Sequence, residues 1–297
     1  MNYPPYLIPP WEARPKRRVP WVNILLFLAT IFTTMAAGAL HAGADIFSNP
    51  WLLYKGIPFS ASLMLILGLH ESGHYITSRL WGVRASLPYF IPVPPPLFLL
   101  GTMGAVIRVR SPIPNRKALV DIGASGPLVG FVAAIVVAAI GLRSSEMVPA
   151  PTERPEGEFL LGSSLIFSLL ARMVLGEIPD GYDILLSPMA FAGWIGLFVT
   201  ALNLLPIGQL DGGHVVYALF GKRHRIIART AILLLLPLGF LWIGWLVLAF
   251  VLILFIGMRH PPPYDLYTPL DGGRRMIGYL ALMVFLLCFT PAPFRVT

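Results

Sequence analysis

The chain has 297 residues, 56% of them hydrophobic and only 12% charged, with a mean hydropathy of +0.75; soluble globular domains carry about 25% charged residues. That balance excludes a soluble domain and describes a polytopic membrane protein. The net charge of +8 is not a nucleic-acid signature, because the basic residues flank apolar segments as they do at cytoplasmic membrane margins. A single cysteine, Cys288, excludes an intrachain disulfide and turns any metal site toward nitrogen and oxygen ligands.

Residues 1–20 form an irregular leader rich in proline (Pro4, Pro5, Pro9, Pro10) that ends in Arg14, Lys16, Arg17 and Arg18, a cluster expected to stay cytoplasmic. The following run, about 21–40, is long enough to span a bilayer, so the start of the chain is expected to be an uncleaved anchor rather than a signal peptide. Residues 41–56 then make a short outer loop, and the next apolar run, about 57–81, returns inward.

That second run carries His70, Glu71 and His74. Residues four apart lie one helical turn above each other, so the two imidazoles can grip one metal ion while Glu71 reaches a water at the same ion. This is the H-E-x-x-H pattern, whose usual metal is zinc and whose glutamate is the general base. Each ionisable residue in a membrane-length segment costs about 2.5–3.5 kcal/mol on insertion scales, so three together need a reason, and a metal supplies one.

Pro88, Pro92, Pro94, Pro95, Pro96, Pro112 and Pro114 break any helix over 83–117, while Thr102–Val109 partly alternates as a strand does. A small re-entrant β-hairpin is expected there, tolerated at membrane depth where it faces protein or a water-filled cavity. Its residues Gly104, Ala105, Val106 and Ile107 are candidates to pair with an extended substrate by β-augmentation. The third span, about 118–141, presents a small-residue face (Gly123, Ser125, Gly126, Gly130) for close helix contact. Asp121, near its start, is expected to be a local partner more than a ligand.

Residues 142–185 hold seven of the 14 acidic residues, and within them Phe159–Leu175 reads as an amphipathic helix with a polar stripe at Ser164, Ser168 and Arg172, laid on the outer interface. A fourth span, about 187–205, runs inward to Asn203-Leu-Leu-Pro-Ile-Gly-Gln-Leu-Asp211-Gly-Gly-His214, where Pro206, Gly208, Gly212 and Gly213 are expected to unwind the backbone. Lys222, Arg223, Arg225 and Arg229 mark an inner margin. Residues 226–258 are either one kinked helix or a tight helical pair, and a last span covers about 276–289. The second Leu-Asp-Gly-Gly, 270–273, is expected to be a turn. The fold class is therefore an all-α polytopic membrane protein of about six transmembrane helices, seven if 226–258 is a pair, with one small hairpin.

Two histidines leave a catalytic zinc site one protein ligand short. The second and fourth spans run in the same direction, which puts Asp211 at the depth of His70; His214 is a rival third ligand. At this point the sequence resembles the site-2 protease family of intramembrane zinc metalloproteases: His70-Glu71-Ser-Gly-His74 within one span, Asn203-x-x-Pro206-x-x-x-Leu210-Asp211-Gly212 at the end of a later one, and Gly101-Thr-Met-Gly104 and Gly126-Pro127 between. The resemblance covers about 57–220. It implies one zinc ion on His70, His74 and Asp211, Glu71 as catalytic base and Asn203 as a stabiliser of the oxyanion. It also implies a single-span membrane protein as substrate, cut in or near its transmembrane helix. Residues 142–185 are too few for the PDZ domain of many bacterial relatives, which likens the chain to the branch without one.

The expected organisation is a leader (1–20), a first span and loop (21–56), a catalytic membrane core (57–220) and C-terminal spans (221–297). With no plastid-like transit segment visible, a prokaryotic inner membrane with the site toward the cytoplasm is the expected location. Two alternatives stand beside the protease. One is the other membrane zincin class, which lacks its later helical glutamate here; the other is a non-proteolytic membrane chaperone that keeps the fold. No nucleic-acid partner is expected.

Overall fold

The computed structural model describes residues 19–151, 159–257 and 260–296; the leader before Val19 and the acidic residues Glu153, Glu156 and Glu158 lie outside them. The described chain is mostly helical, with three two-stranded antiparallel sheets. Helix α1 (Trp21–His41), the continuous helical stretch Pro50–Leu80 that ends in α2 (Ile57–Leu80), and α3 (Arg116–Leu142) are each long and apolar enough to cross a membrane. Their ends follow local chemistry. Pro58 sits in the first turn of α2, where its missing N–H costs nothing, and Gly82, in the left-handed region at φ +67°, closes the far end. Asn115 caps α3 by accepting from the Ala118 N–H at 3.0 Å.

The expected hairpin is present as β1 (Tyr89–Pro92) paired with β2 (Thr102–Val106), Phe90 opposite Ala105. Ile107, grouped with the strand by sequence, lies just beyond it, because pairing stops at Tyr89–Val106. Asn23 of α1 donates to the carbonyls of Leu87 and Pro88, and β2 packs against α2.

Two further sheets escape a reading of periodicity. Strands β3 (Glu146–Pro149) and β5 (Tyr182–Leu185) pair across the acidic segment, and β4 (Phe159–Leu161) pairs with β6 (Phe294–Val296) near the far end of the chain. The amphipathic helix is accordingly shorter than expected: α4 spans Leu165–Leu175. Ser164 belongs to its cap, accepting from the Phe167 N–H, and only Phe167 and Ala171 are buried along it.

Helix α5 (Pro188–Asn203) is capped by Ser187 and ends at Asn203. A short turn follows, and α6 (Asp211–Phe220) begins at once. Gly212 and Gly213 therefore do not unwind the chain; they lie in the first turn of a helix. A Cβ on Gly212 would stand 1.9 Å from the Leu204 carbonyl oxygen, so their smallness lets α6 fold back against the end of α5. Of the stretch 226–258, the described residues through Gly257 hold a pair of helices, α7 (His224–Leu238) and α8 (Gly244–Val251). The second Leu-Asp-Gly-Gly starts α9 (Gly272–Cys288) instead of making a free turn, with Asp271 accepting from the Arg274 N–H; that bond and the Arg274 guanidinium hold the Asp271 carboxyl down at about 2.

Helix α3 is the centre of the assembly, in contact with α2, α4, α5, α6 and α9. It can be so because its faces are small: the backbone of α5 passes at Gly193, where a Cβ would stand 2.6 Å from the Ala138 Cα. Packing of this kind holds helices together in lipid, where apolar side chains gain little by leaving the tails. Polar contacts add to it, as between the hydroxyls of Thr34 in α1 and Ser60 in α2 at 2.7 Å. Gly193→Ala is expected to cost about 1–3 kcal/mol by overpacking, whereas Gly68→Ala, which meets nothing within 4 Å, is expected to be neutral or mildly stabilising. Unfolding in mild detergent compares the two.

Candidate metal centre

Helix α2 buries His70, Glu71 and His74, each no more than 6% exposed. Room for the two rings comes from α3. A Cβ on Gly126 would stand 2.1 Å from His74 Nε2, and one on Gly130 would stand 3.0 Å from His70 Nδ1. The helices are thus registered in opposite directions, with a pair of glycines four apart facing a pair of histidines four apart. Helix α3 also orients one ring directly: His74 Nδ1 donates to the Ile122 carbonyl at 2.8 Å, leaving Nε2 of the neutral ring with a lone pair toward the site.

The third donor arrives from α6. Asp211 Oδ2 lies 3.2 Å from His74 Nε2 and 3.4 Å from His70 Nε2, and the two Nε2 atoms are 3.1 Å apart. Among the described residues these three form the one group of histidine, cysteine or acidic side chains whose ligand atoms converge closely enough for a metal ion. The far end of α6 is secured by Arg116 at the start of α3, whose Nε donates to the Ala218 carbonyl at 2.9 Å and whose Nη2 donates to that of Leu219 at 3.2 Å. A cation at a helix C-terminus satisfies carbonyls that lack partners and opposes the helix dipole.

The triangle fits a tetrahedral ion. Ligand bonds of about 2.0–2.1 Å space tetrahedral donors about 3.3 Å apart, and the three edges run from 3.1 to 3.4 Å. A neutral His74 sets that lone pair against a carboxylate oxygen, acceptor against acceptor, so either a metal ion or a second proton on the ring must lie between them. Nitrogen and oxygen donors in this number suit zinc, whose catalytic sites take three protein ligands and keep one position open.

Asn203, the last residue of α5, sets its Nδ2 3.3 Å from His70 Nε2, which puts its amide at the rim of the triangle. Two other candidates are engaged elsewhere. His214 does not join the triangle; its Nδ1 lies against His260 Nε2 at 2.6 Å. Asp121 accepts from Trp81 Nε1 at 3.0 Å and from Arg274 Nε at 2.9 Å, tying the end of α2 to α3 and α9. The residues a sequence reading overlooks are the supporting ones, Ile122, Arg116 and the glycines in their role as ring cradles. The matched spacing of four in Gly126/Gly130 and His70/His74 is the signal that could have found the last of these.

Gly126→Ala is expected to lower zinc affinity at least tenfold with secondary structure intact, because its Cβ would collide with the donor atom of His74. Gly130→Ala, tighter than ordinary contact but not overlapping, is expected to cost less. Metal content of the purified chains by mass spectrometry, beside circular dichroism, ranks the two.

Comparison with known proteins agrees with this geometry. The sequence pattern described as Peptidase family M50 matches residues 58–244, more than half of the chain. A protein of Arabidopsis thaliana named probable zinc metalloprotease EGY2, chloroplastic, is 28% identical over 282 residues, covering 91% of this chain and 48% of the relative. The rice (Oryza sativa subsp. japonica) protein named probable zinc metalloprotease EGY1, chloroplastic, is 30% identical over 300 residues, covering 92% and 50%. The Arabidopsis protein named probable zinc metallopeptidase EGY3, chloroplastic, is 28% identical over 300 residues, covering 91% and 49%. The chain spans about half the length of these curated relatives. No solved structure matches it. With helices that can cross a membrane on either side of the histidine pair and a match running through both motifs, the chain is an integral membrane protein and belongs to peptidase family M50, the family of the site-2 proteases.

Proposed function

We propose that this chain is an intramembrane zinc metalloprotease that hydrolyses a peptide bond in or near the transmembrane helix of a single-span membrane protein. The observation that carries the reading is the triangle of the buried His70 Nε2 and His74 Nε2 with the partly buried Asp211 Oδ2, and buried Glu71 in the same helical turn as the histidines. When bound there, one zinc ion supplies Lewis acidity toward an attacking water and the scissile carbonyl. Glu71 takes the proton from that water and passes it to the leaving amine, the task of a general base placed within reach of its substrate. Asn203 donates its amide N–H to the oxygen on which negative charge develops. The buried surroundings of the donors keep other waters out and strengthen each of these interactions.

A helical substrate hides its carbonyls in its own hydrogen bonds, so it must open before attack. The edge of β2 not paired with β1, at Gly104, Ala105 and Val106, receives the opened segment as an added strand, and Ile107 continues that edge. We assign the chain about six spans: α1, α2, α3, α5, the α7–α8 hairpin counted as one re-entrant pair, and α9, with α4 lying along the outer interface. The working core is then 57–220, flanked by the first span and by C-terminal spans. Basic residues at Arg108, Arg110, Arg116, Lys117, Lys222, Arg223 and Arg225 support a site toward the cytoplasmic side. The membrane we assign is a prokaryotic inner membrane; the relatives' names carry the word chloroplastic, so fractionation of the native host against a plastid membrane tests the assignment.

Cleavage of a single-span substrate in proteoliposomes tests the mechanism. Glu71→Gln is expected to lose about 10²–10⁴-fold in rate and to keep its zinc, whereas Asp211→Ala is expected to lose both. Asn203→Ala should lose about 10²–10³-fold in kcat at full metal content. Cleavage by Glu71→Gln at the unaltered rate would sink Glu71 as the base, whereas an unaltered chain that binds the substrate without cutting it, as Glu71→Gln does, would sink the protease and leave a binding protein. Proline at Ala105 removes an N–H from the strand edge and is expected to slow cleavage at unchanged zinc content; unchanged turnover there discards strand addition alone.

A further inference from the structure

The start of α3, the end of α6 and the first turns of α9 enclose a cleft of about 240 Å³, lined among others by Arg116, Phe220, Arg275 and Tyr279. The two arginines have no acid to answer them. Asp121 in α3 and Asp271 at the cap of α9 are taken by other cations: Arg274 Nε lies 2.9 Å from Asp121 Oδ2, while Arg274 Nη1 and Lys117 Nζ lie 2.7 Å and 3.7 Å from Asp271 Oδ2. Arg275, exposed on α9, makes no side-chain hydrogen bond or ion pair among the described residues; only its main-chain N–H is engaged, donating to the Asp271 carbonyl. Arg116 engages Nε and Nη2 with the carbonyls of Ala218 and Leu219. Its Nη1 has no partner among the described residues, and its charge is offset only in part, by the dipole at the end of α6. Lys222 and Arg223 follow Phe220 closely, and between Asp211 and Asp265 the chain has no acidic residue.

We propose that this cleft holds the headgroup of an acidic phospholipid, with its phosphate at Arg116 and Arg275 and its acyl chains along α9. A guanidinium presents its donors as a planar fork that matches phosphate oxygens, and two cations without counter-charge favour a ligand of net negative charge over a zwitterion. The cleft is smaller than the about 300–1,000 Å³ of sites that enclose drug-sized molecules, which suits a headgroup whose tails stay outside. The surface beside it supplies a place for those tails. Arg275 and Tyr279 are four apart and share one face of α9, and the same face continues through Met283 and Leu286, 50% and 64% exposed. It thus passes from charge through a phenol to apolar surface, the order in which a lipid passes from headgroup to chains. Basic pockets between membrane helices take acidic headgroups in this way. A free phosphate would use the cleft alone and leave that stripe idle. The inference takes α9 as the last span, as assigned above, and draws nothing from the cleavage reading. A lipid seated here ties α9 to α3 and to the end of α6, the helix that starts at Asp211.

The test uses the full chain, delipidated in a neutral detergent, with phosphatidylglycerol or phosphatidylcholine of identical acyl chains added and bound lipid counted by native mass spectrometry. The unaltered chain is expected to retain phosphatidylglycerol in preference to phosphatidylcholine. Arg275→Gln should weaken phosphatidylglycerol binding about fivefold, the effect of one cation at a lipid surface, and Arg275→Glu should weaken it further. Arg229→Gln removes an exposed arginine of α7 outside the cleft and should change nothing. Because the Arg275 side chain has no partner, its variants are expected to keep the circular dichroism of the unaltered chain, and the preference between the two lipids is read without any variant. Equal retention of both lipids, phosphatidylglycerol binding that survives both Arg275 variants, or an equal loss in Arg229→Gln overturns the proposal. Inorganic phosphate at the lipid's concentration should not displace it; full displacement makes the cleft a site for free phosphate and overturns the lipid. No arm reads zinc or cleavage, so failure here leaves the protease reading untouched, and failure of that reading leaves this site standing.

Discussion

Everything in the fold serves the approach of three electron-rich atoms to within 3.1–3.4 Å of one another in a buried place. With both rings neutral and no ion between them, that arrangement is unfavourable, since lone pairs then face each other where little water reaches to screen them. Its persistence requires that each side chain be held from behind. His74 is anchored by the Ile122 carbonyl, and both rings are backed by the α3 glycines. Asp211 stands on a helix whose far end is gripped by Arg116. The centre is therefore a property of the α2–α3–α6 junction, and α3 contributes to all of it without supplying one donor.

The smallness of α3 explains how such a junction survives among lipid tails. Where no solvent drives apolar surfaces together, helices are held by close backbone approach and by polar bonds between them. The contact at Gly193 is an approach of that kind, Gly126 and Gly130 instead leave room for the two imidazole rings, and the Asp121–Trp81–Arg274 group closes the same helix against α2 and α9 at one end. One helix thus secures the fold and makes room for the two rings, so the two cannot be altered independently along this face.

Much of this was legible in the sequence, for reasons that can be named. Long apolar runs have one solution in a bilayer, and α1, α2 and α3 fall within a residue or two of where hydropathy puts them. His70 and His74 announce themselves by spacing, and Asp211 by the direction in which its span must run. The misses are of another kind. Strands β4 and β6 are three residues each and separated by most of the second half of the chain, so no local period marks them, and α4 lost its first turn to that pairing. Gly212 and Gly213 look like helix breakers in isolation; a carbonyl of the preceding turn, invisible to local reasoning, makes them helix starters. His214 reads as a ligand by its neighbours in sequence, while its ring is claimed by His260, 46 positions on.

The donors of the triangle are unequally distributed along the chain: two stand on one helix, and the third follows His74 by 137 positions. During synthesis, a ribosome that has delivered α1, α2 and α3 into the bilayer has delivered an incomplete chelate, a pair of imidazoles without their carboxylate. The triangle then closes in one late event, when α5 has emerged and the next turn brings Asp211 to the two rings. A nascent or truncated copy ending before that residue holds two of the triangle's three donors and lacks the third, so the order of residues along the chain alone fixes when the cluster can close.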